Sequence, residues 1–328
     1  MPTFCRHNRF IERCPICSKT LPGASAGGLA SRGGSSERAS AARAGARRRQ
    51  PRGEAVRIHR EGRAADDGYR SALLPGLRSS VDASRLAEEI GFSSGRLIVL
   101  GEAPPDLYAD ARRVSREDLE QATWICFLIA YLSPLAGEDP FAGIRLALSY
   151  GRFELDDLEG IPLGPRASHE PAHGARTLRA YRKWAEQAGS QELAFVGDVA
   201  WSPQRRFERL FERLVLPGLS RAARYELLVV LGRLGLYELH ADSLYFAGVR
   251  AVSSSDPVTD AAKRVFAIGD PLHLDRRAAA LADAMSIAPE ALDLALANWG
   301  AGERATLGFA ADSCDREALQ RSRDALGL

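Results

Sequence analysis

Lysine is almost missing from this 328-residue chain. Of its 44 basic residues only three are lysines, Lys19, Lys183 and Lys263, and the others are arginines. A GC-rich genome produces such a bias on its own, so the scarcity of lysine does not by itself indicate a partner. Arginine nevertheless binds phosphate through a planar fork of two hydrogen bonds. The composition therefore permits contact with nucleic acid.

Long hydrophobic runs are also missing. A membrane-spanning helix needs about 20 consecutive apolar residues. The best stretch, residues 125–135, is too short and contains Tyr131 and Ser133. Polar residues such as Arg6 and Asn8 occupy the place where a secretory signal peptide would have its apolar core. We therefore expect a cytoplasmic protein that makes no contact with a membrane.

The composition is otherwise typical of a soluble globular protein, with 45% hydrophobic and 26% charged residues. Three zones differ. Residues 1–18 are rich in Cys, His and Arg, residues 19–54 are rich in Gly, Ala, Ser and Arg, and apolar periodicity is sustained from about residue 55 onward. The middle zone lacks the large apolar residues that could offset chain entropy. We therefore expect a flexible basic linker at 19–54 and a folded domain at 55–328.

Three of the five cysteines lie in the first zone. Cys5, His7, Cys14 and Cys17 form the pattern C-x-H-x6-C-x2-C. Two thiolates separated by two residues can chelate one tetrahedral ion, and the histidine completes a ligand set with no open position. Because a cytosolic chain would not keep these cysteines as disulfides, we expect a structural zinc knuckle in this zone. Free thiols, or His59 in place of His7, are the alternatives.

Helical periodicity dominates the third zone. Seven apolar-periodic segments predict helices at residues 84–100, 177–188, 203–214, 221–234, 259–268, 274–285 and 289–298. An eighth helix is expected to begin at Ser115 as its N-cap, with Asp118 at its third helical position, and to end before Pro134. Strand-like alternation is confined to residues 55–59 and 243–246. The pattern therefore predicts a mainly helical domain.

Two glycines three residues apart close an apolar helical pattern at residues 227–236. Gly232 and Gly235 precede a connection and a second helix, whose start carries Asp256 and Asp260. In a helix-hairpin-helix module, glycines let the backbone approach a DNA phosphate, and the next helix begins with a carboxylate that faces the sugar. Alternatively, the glycines serve close packing and the aspartates cap a helix. The residues alone leave these alternatives open.

The order of these elements resembles the helix-hairpin-helix DNA glycosylase superfamily. Residues 124–135 are similar to its early core helix, which ends at the base pocket, and residues 259–269 are similar to the helix with the catalytic aspartate. More closely, residues 56–299 resemble the alpha-glutamyl/putrescinyl thymine pyrophosphorylase family, clade 3, a branch associated with hypermodified pyrimidines in phage DNA. The similar segments are residues 66–70, 73–77, 201–211 and 262–270. The resemblance implies a two-lobed helical domain.

The chain departs from the superfamily pattern at three points. The usual valine-aspartate-threonine is replaced by the order Asp256-Pro-Val-Thr-Asp260, so the resemblance does not choose between the two aspartates. No lysine lies between Gly232 and Gly235, where lyase-type members carry their nucleophile, and Lys263 is a lesser candidate. The C-terminal cysteine cluster of some members is missing, so we expect no iron–sulfur cluster.

The resemblance implies a monofunctional DNA glycosylase, active as a monomer on double-stranded phage DNA in antiviral defence. Its substrate would be a bulky modified pyrimidine, such as glucosylated hydroxymethylcytosine or a hypermodified thymine. Asp260 or Asp256 would stabilise positive charge on the deoxyribose. Arg233, Arg264 and the amides near the two glycines would hold the duplex. The flipped base would lie in a pocket with Trp124, Tyr131 and Ser133.

Two other functions stay open. The name of the family indicates a transferase that displaces pyrophosphate from an activated hydroxymethyl-pyrimidine with an amine. Arginines such as Arg70, Arg264 or Arg276 would then bind the diphosphate. The third alternative is a non-catalytic adaptor that only recognises altered bases in DNA. A carboxylate that faces an open pocket would distinguish an enzyme from this adaptor.

Overall fold

Helices form the regular structure of the described part of the chain. The computed structural model describes residues 64–153, 158–170, 172–248 and 256–328. They belong to one compact unit, His59–Leu328. Within the described ranges no strand occurs, which confirms the predicted mainly helical fold. None of the helices in these ranges is long and apolar enough to cross a membrane.

Several predictions fall outside these ranges. They concern the zinc ligands Cys5, His7, Cys14 and Cys17, the linker at 19–54 and the strand at 55–59. They stay predictions.

Twelve α-helices follow one another along the described residues. The first six are α1 (Ser80–Glu102), α2 (Asp106–Val114), α3 (Leu119–Leu132), α4 (Ala142–Ser149), α5 (Gly174–Ala188) and α6 (Gln191–Val196). The other six are α7 (Pro203–Arg213), α8 (Arg221–Arg233), α9 (Pro257–Phe266), α10 (Pro271–Met285), α11 (Pro289–Ala301) and α12 (Arg316–Leu326). A short 3-10 helix, Phe246–Gly248, precedes α9.

Each of the eight predicted helices is present, with ends shifted by a few residues. The predicted N-cap of α3 is wrong. Asp118, not Ser115, is its N-cap, because the Asp118 carboxylate accepts a hydrogen bond from the Gln121 N–H at 2.8 Å. Ser115 instead ends α2, and its N–H bonds to the Ala111 carbonyl oxygen at 3.0 Å. The predicted end of the helix before Pro134 is confirmed.

Four helices, α2, α4, α6 and α12, were not predicted. The last of these shows the reason. Its buried residues are Ala318, Ser322 and Leu326, which are spaced by four residues and include only one large apolar side chain. The helix is therefore amphipathic but carries few large apolar residues, so its buried stripe was not recognised from the sequence.

The predicted strand at residues 243–246 is wrong. Asp275 on α10 accepts hydrogen bonds from the Ser243 hydroxyl at 2.9 Å and from the Phe246 and Ala247 N–H groups at 3.0 and 3.1 Å. These bonds to one carboxylate fold the segment into a turn that leads into the 3-10 helix. Hydrogen bonds to a side chain that is distant in the sequence have therefore replaced strand pairing.

Two helices are buried on every side and organise the packing. In α3 every residue from Ala122 to Leu132 is buried, and the helix packs against α2, α4, α6 and α8. In α11 every residue from Glu290 to Asn298 is buried, and the helix packs against α1, α9 and α10. A helix that is enclosed by other helices has no solvent face. The charged residues of α11 therefore need partners inside the protein.

Candidate functional site

The C-terminal end of α3 is held by a segment that follows it in the chain. Gly164 donates its N–H to the Leu132 carbonyl oxygen at 3.0 Å, and Ser168 donates its N–H to the Tyr131 carbonyl oxygen at 2.8 Å. Directly after Leu132 the chain turns at Ser133, which is buried and has a φ of 58°. A positive φ is strained for a residue with a side chain and persists only where the surroundings enforce it.

Ser168 also connects this segment to the turn between α7 and α8. Its hydroxyl donates to the Gly218 carbonyl oxygen at 2.8 Å and accepts the Ser220 N–H at 2.7 Å. The turn between the two helices, residues 214–220, requires glycine at position 218. Gly218 has a φ of +75°, and a Cβ at this position would lie 2.1 Å from the hydroxyl oxygen of Thr177. One serine therefore fixes the end of α3 against the start of α8.

Four charged side chains form a buried network behind this connection. Arg166 donates to Asp293 on α11 at 2.8 Å, and Arg221, the first residue of α8, donates to the other Asp293 oxygen at 2.5 Å. The same Arg221 nitrogen lies 3.8 Å from the carboxylate of Asp256. Burial alone would raise the pKa of Asp293, but the two guanidinium groups outweigh burial and hold that pKa below its usual range.

Asp256 is the N-cap of α9, and it uses only one carboxylate oxygen for this role. Its Oδ2 accepts the Thr259 N–H at 2.9 Å and the Thr259 hydroxyl at 2.5 Å. Its Oδ1 accepts no hydrogen bond from any residue in the described ranges. The side chain is only 9% exposed. Asp256 is thus a largely enclosed carboxylate beside a guanidinium group, with one oxygen that the described residues leave unused.

The second predicted catalytic aspartate has a different environment. Asp260 lies in the first turn of α9, with its side chain 46% exposed and 3.6 Å from the Lys263 ammonium group. Lys263 itself is 44% exposed. An ion pair of this kind on the surface contributes little to stability. The structure thus separates a buried aspartate from an exposed one, although the sequence treats both as helix-start carboxylates.

A narrow cleft lies beside the network, at the end of α3. It is lined by Tyr108, Ile129, Ala130, Ser133, Pro134, Arg166, Ala222, Ala223, Glu226 and Leu307. Its cavity volume is about 10 Å³, close to the minimum for one water molecule. The cleft thus combines a carboxylate, a guanidinium group and a hydroxyl within an otherwise apolar lining.

Each of the two charged groups in the cleft, Glu226 and Arg166, has an atom that makes no hydrogen bond to the described residues. Glu226 pairs through Oε1 with Arg96, a fully buried residue of α1. The Arg166 nitrogen Nη1 is buried and has no hydrogen-bond acceptor within the described ranges. Because an unpaired buried donor is costly, this nitrogen is a candidate to donate a hydrogen bond to a bound ligand.

A third arginine adds positive charge near Asp256. Arg224, one turn after Arg221 on α8, is 4% exposed and donates to the Phe211 carbonyl oxygen at 2.9 Å. Its guanidinium group also stacks over the Phe211 ring at 4.4 Å. Burial and the like charge of Arg221 lower the pKa of Arg224 to about 10. The start of α8 therefore carries more buried positive than negative charge.

The predicted phosphate-binding glycines have structural roles. Gly232 lies inside α8, and a Cβ there would approach the Leu239 carbonyl oxygen to 2.3 Å. Gly235 ends the helix with a φ of +74°, and its N–H bonds to the Gly232 carbonyl oxygen while the Leu236 N–H bonds to Leu231. This is a Schellman motif. The Gly235 amide is therefore not available to a phosphate, and the packing alternative explains both glycines.

Arg233 and Arg264, the other predicted DNA contacts, already have protein partners. Arg233 lies 3.3 Å from the buried carboxylate of Glu290. Arg264 is exposed, stacks over the Trp299 ring at 5.0 Å and donates to the Gly300 carbonyl oxygen at 3.0 Å. The structure therefore separates Arg264 and Arg233 from the network around Asp256.

Two of the three predicted pocket residues belong to the core. Trp124 is 2% exposed and stacks on Phe127, with ring centroids 5.3 Å apart. Tyr131 is fully buried, and its hydroxyl lies 2.9 Å from Nδ1 of His169. Neither side chain lines the cleft, whose α3 residues are instead Ile129 and Ala130. Only Ser133, just beyond the helix, lines it.

A second cavity, of about 350 Å³, lies between α1 and the end of α11. Its lining is mostly polar and consists of Arg85, Glu88, Glu89, Asn298, Trp299, Gly302, Glu303, Arg304 and Ala311. Arg304 makes a two-pronged pair with Glu89 there, at 2.8 to 3.0 Å. None of the predicted catalytic residues lines this cavity.

Arg166, Arg221, Glu226 and Asp293 were not among the residues predicted from the sequence. One signal was present: Glu226 and Asp293 interrupt segments that are otherwise apolar, Tyr225–Leu231 and Ala291–Ala297. A charge inside a buried helical face needs a partner, so such interruptions are candidates for a site. Which partner each charge finds depends on helix packing, which the pattern does not contain.

The described part of the chain is thus a helical domain in which Arg166 lines a narrow cleft together with Glu226 and also pairs with Asp293 of the buried charged network. The predicted catalytic residues Asp256, Asp260 and Lys263 are not among the residues that line this cleft. Residues 166–307, a little under half of the chain, match the family model described as alpha-glutamyl/putrescinyl thymine pyrophosphorylase clade 3. The resemblance predicted from the sequence is confirmed over this range, which includes Arg166, Asp256 and Asp293. Comparisons with curated proteins and with solved structures gave no match.

Proposed function

We propose that this protein is a DNA glycosylase that removes a modified pyrimidine, and that Asp256 is its catalytic carboxylate. One observation carries the proposal. The Asp256 side chain at the start of α9 is only 9% exposed, its Oδ2 lies 3.8 Å from an Arg221 nitrogen, and its Oδ1 is unused by the residues of the described ranges. The match of the surrounding residues to a family named for a thymine modification directs the choice of substrate toward pyrimidines in DNA.

The chemistry needs few groups. The bond between C1′ of the deoxyribose and N1 of the base breaks, its electron pair leaves with the base, and positive charge develops on the sugar. The Asp256 carboxylate stabilises that charge and accepts a proton from the water molecule whose oxygen bonds to C1′. Arg221 and the Thr259 bonds hold the carboxylate in one orientation. The proton accepted by Asp256 then passes to the departing base anion, directly or through solvent, so an abasic site and a free base are the products and the carboxylate is regenerated.

The turn between α7 and α8 is the proposed contact with the DNA backbone. The N–H groups of Gly218, Arg221 and Ala222 donate no hydrogen bond to any residue that the structure describes. They lie at the start of α8, where the helix dipole favours an anion. This turn takes the role that the sequence pattern suggested for Gly232 and Gly235.

Water, not a lysine, is the proposed nucleophile. Lys183 and Lys263 are both exposed, and Lys263 is paired with Asp260. Neither belongs to the network around Asp256. The proposed enzyme is therefore monofunctional and leaves the abasic strand intact. Modified bases of this kind occur in phage DNA, and excision of them would act in antiviral defence.

The flipped base would approach the cleft at Ser133. Lifting it from the duplex costs a few kcal/mol in lost stacking and pairing. Because the cleft holds only about one water molecule, the base edge can enter it, while the ring needs the cleft to widen. A carboxylate in the cleft, Glu226, also favours an enzyme over the adaptor, which has no need of one.

The deciding experiment offers the full-length protein duplexes with cytosine, 5-hydroxymethylcytosine, glucosylated 5-hydroxymethylcytosine or 5-hydroxymethyluracil. Free base is followed by mass spectrometry and abasic sites by alkali cleavage. Asp256→Asn keeps a good helix cap but loses the charge, and it should lower base release by about 100-fold or more. Asp260→Asn is the matched control and should change release by less than about threefold, as expected for an exposed position.

A transferase is the second candidate, because the matching family is described as a pyrophosphorylase. It would join an amine to an activated hydroxymethyl-pyrimidine and release pyrophosphate, with the base kept in the DNA. Absence of base release from every duplex, together with a mass increase when a diphosphorylated hydroxymethyl base and an amine are supplied, would replace the glycosylase proposal with this one.

A further inference from the structure

We propose that α5 carries a second contact for the DNA backbone, formed by Arg176, Arg179 and Lys183, which we call the α5 strip. The strip would neutralise phosphates beside the contact already proposed at the turn between α7 and α8. The inference rests on the proposed function for the nature of the partner, but it does not depend on the chemistry of base removal.

The three side chains of the strip share one face of the helix. Arg176, Arg179 and Lys183 are spaced by three and four residues, and all of them are exposed. At about 100° per residue they fall within about 60° of one another, away from the buried Leu178 and Tyr181. The helix rises about 10 Å from the first to the last of them, a length over which one DNA strand carries about three phosphates.

The strip has no counter-charge among the described residues. The side chains of Arg176, Arg179 and Lys183 make no ion pair or hydrogen bond to any residue in the described ranges. The helix α5 contains four basic residues and one acidic residue, a surplus of three positive charges. The net charge of the whole chain is only +2. Positive charge is therefore concentrated on this helix and is available to an anionic partner.

The strip also works against the stability of its own helix. Arg176 lies in the first turn of α5, where the helix dipole favours negative charge. Arg179 is three residues from Arg176 and four residues from Lys183, and like charges at these spacings repel each other. Helix stability therefore does not explain the strip, whereas an anion bound along it would offset both unfavourable effects.

The turn that is the first proposed DNA contact packs directly on α5. A Cβ at Gly218 in this turn would lie 2.1 Å from the hydroxyl oxygen of Thr177. Arg176 precedes Thr177 in the chain and lies about 100° around the helix from it. A helix with its side chains is about 10–12 Å wide, and the grooves between the two backbones of a duplex are about 6–12 Å wide. A single duplex is therefore large enough to reach both the turn and the strip.

Two double variants test the strip. Arg176→Gln combined with Lys183→Gln removes two charges and keeps a good helix former at each position. Arg316→Gln combined with Arg323→Gln is the matched control. These two arginines are also exposed, lie seven residues apart on α12, and make no ion pair with the described residues. Both double variants change the net charge of the protein by the same amount.

The readout is equilibrium binding of the full-length protein to a short unmodified duplex over a series of salt concentrations. Each lost phosphate contact lowers the slope of log affinity against log salt by about 0.9. The strip variant should therefore lose about two units of slope and at least about tenfold in affinity at low salt. The control variant should stay within about half a unit of slope and about threefold in affinity.

The melting temperature of the strip variant should equal or exceed that of the wild type, because repulsion within α5 has been removed. A slope equal to that of the wild type, or an equal loss of slope in the strip and control variants, would overturn the inference. A lower melting temperature in the strip variant would also overturn it, since the charges would then serve the fold.

Base release is measured separately, so that the strip and the glycosylase are tested independently. A loss of slope confined to the strip variant, without base release from any duplex, would support the strip and overturn the glycosylase. Base release by the wild type, together with equal slopes in the wild type and the strip variant, would support the glycosylase and overturn the strip.

Discussion

Thr259 donates two hydrogen bonds to a single oxygen of Asp256, one from its backbone N–H at 2.9 Å and one from its hydroxyl at 2.5 Å. The bonds fix the carboxylate at the start of α9 and leave its other oxygen unused by the described residues. A cap that occupies one oxygen of a buried carboxylate both begins a helix and orients a reactive group. The same residue can therefore serve folding and chemistry.

Replacement of the hydroxyl tests this double role. Thr259→Val keeps the shape and the backbone N–H but removes one bond to a charged group, so it should destabilise the protein by about 1–3 kcal/mol. It should also lower base release by about tenfold, because the carboxylate is less well oriented. Denaturant unfolding and the base-release assay measure the two effects. Thr259→Ser retains the hydroxyl, so its free energy of unfolding and its base release should stay close to those of the wild type. A loss in either quantity as large as that of the valine variant would contradict the double role of Asp256.

The position of Asp293 between two arginines predicts a large stability effect. Asp293→Asn leaves the buried guanidinium groups of Arg166 and Arg221 without their shared counter-charge, and it should reduce the free energy of unfolding by about 3–5 kcal/mol. Asp110, which pairs with Arg113 on the surface, provides the control. Asp110→Asn should change the free energy of unfolding by about 1 kcal/mol or less. Similar values for both variants would show that the network does not stabilise the fold.

The pH dependence of that effect has a definite sign. The pKa of Asp293 lies below its ordinary value of 3.8 in the folded protein, since the two arginines favour the charged form. Its contribution to stability is therefore complete above the unfolded pKa and is lost as the pH falls through the folded pKa. The difference in unfolding free energy between wild type and Asp293→Asn should be constant above about pH 5 and shrink below about pH 4. A difference that grows on acidification would refute the assignment.

The N-terminus of α8 predicts a DNA-binding phenotype. Ser220→Asp keeps the helix cap, because aspartate caps as well as serine does, but it places a negative charge at the proposed phosphate contact. Duplex affinity should fall at least about fivefold, with little change in melting temperature. Ser202→Asp makes the same change at the cap of α7 and should leave affinity within about twofold of wild type. An equal loss of duplex affinity in the two variants would indicate only a general effect of the added negative charge.

The zinc knuckle stays a prediction and is testable by metal analysis. The full-length protein should contain one zinc ion per chain, held by Cys5, His7, Cys14 and Cys17. Cys17→Ser should lose most of the metal, since three ligands bind zinc weakly. Cys314→Ser is the matched control, because Cys314 is an exposed free cysteine in the described part of the chain. Full zinc content in the Cys17 variant would exclude this ligand set.

Much of the secondary structure followed from the sequence. Apolar periodicity, capping serines and first-turn prolines placed eight helices, and Ser202 with Pro203 begins α7 as expected. The pattern failed for helices whose buried stripe is small or polar, such as α12, and for the segment around Ser243. There a carboxylate from α10, Asp275, decides the local conformation. A pattern of residue types contains no information about a partner 32 positions away.

The residues of the candidate site were harder to predict from the sequence than the helices were. The aspartates at the start of α9 were found, since a helix start has a recognisable pattern. The glycines of α8 were misassigned, because packing against Leu239 and a Schellman motif produce the same spacing as a phosphate-binding turn. The glycine turn that leads into α8 lies instead at Gly218.

What the sequence determined by itself is the helical class of the described domain, the positions of most of its helices and its resemblance to one family, because periodicity and caps are local properties of the chain. Only the tertiary structure distinguished Asp256 from Asp260, by burying the first beside Arg221 and leaving the second at the surface. It also brought Arg166 and Glu226 to one cleft across 60 residues of chain. Burial and pairing of charges depend on how helices pack, and packing brings together residues that are far apart in the chain.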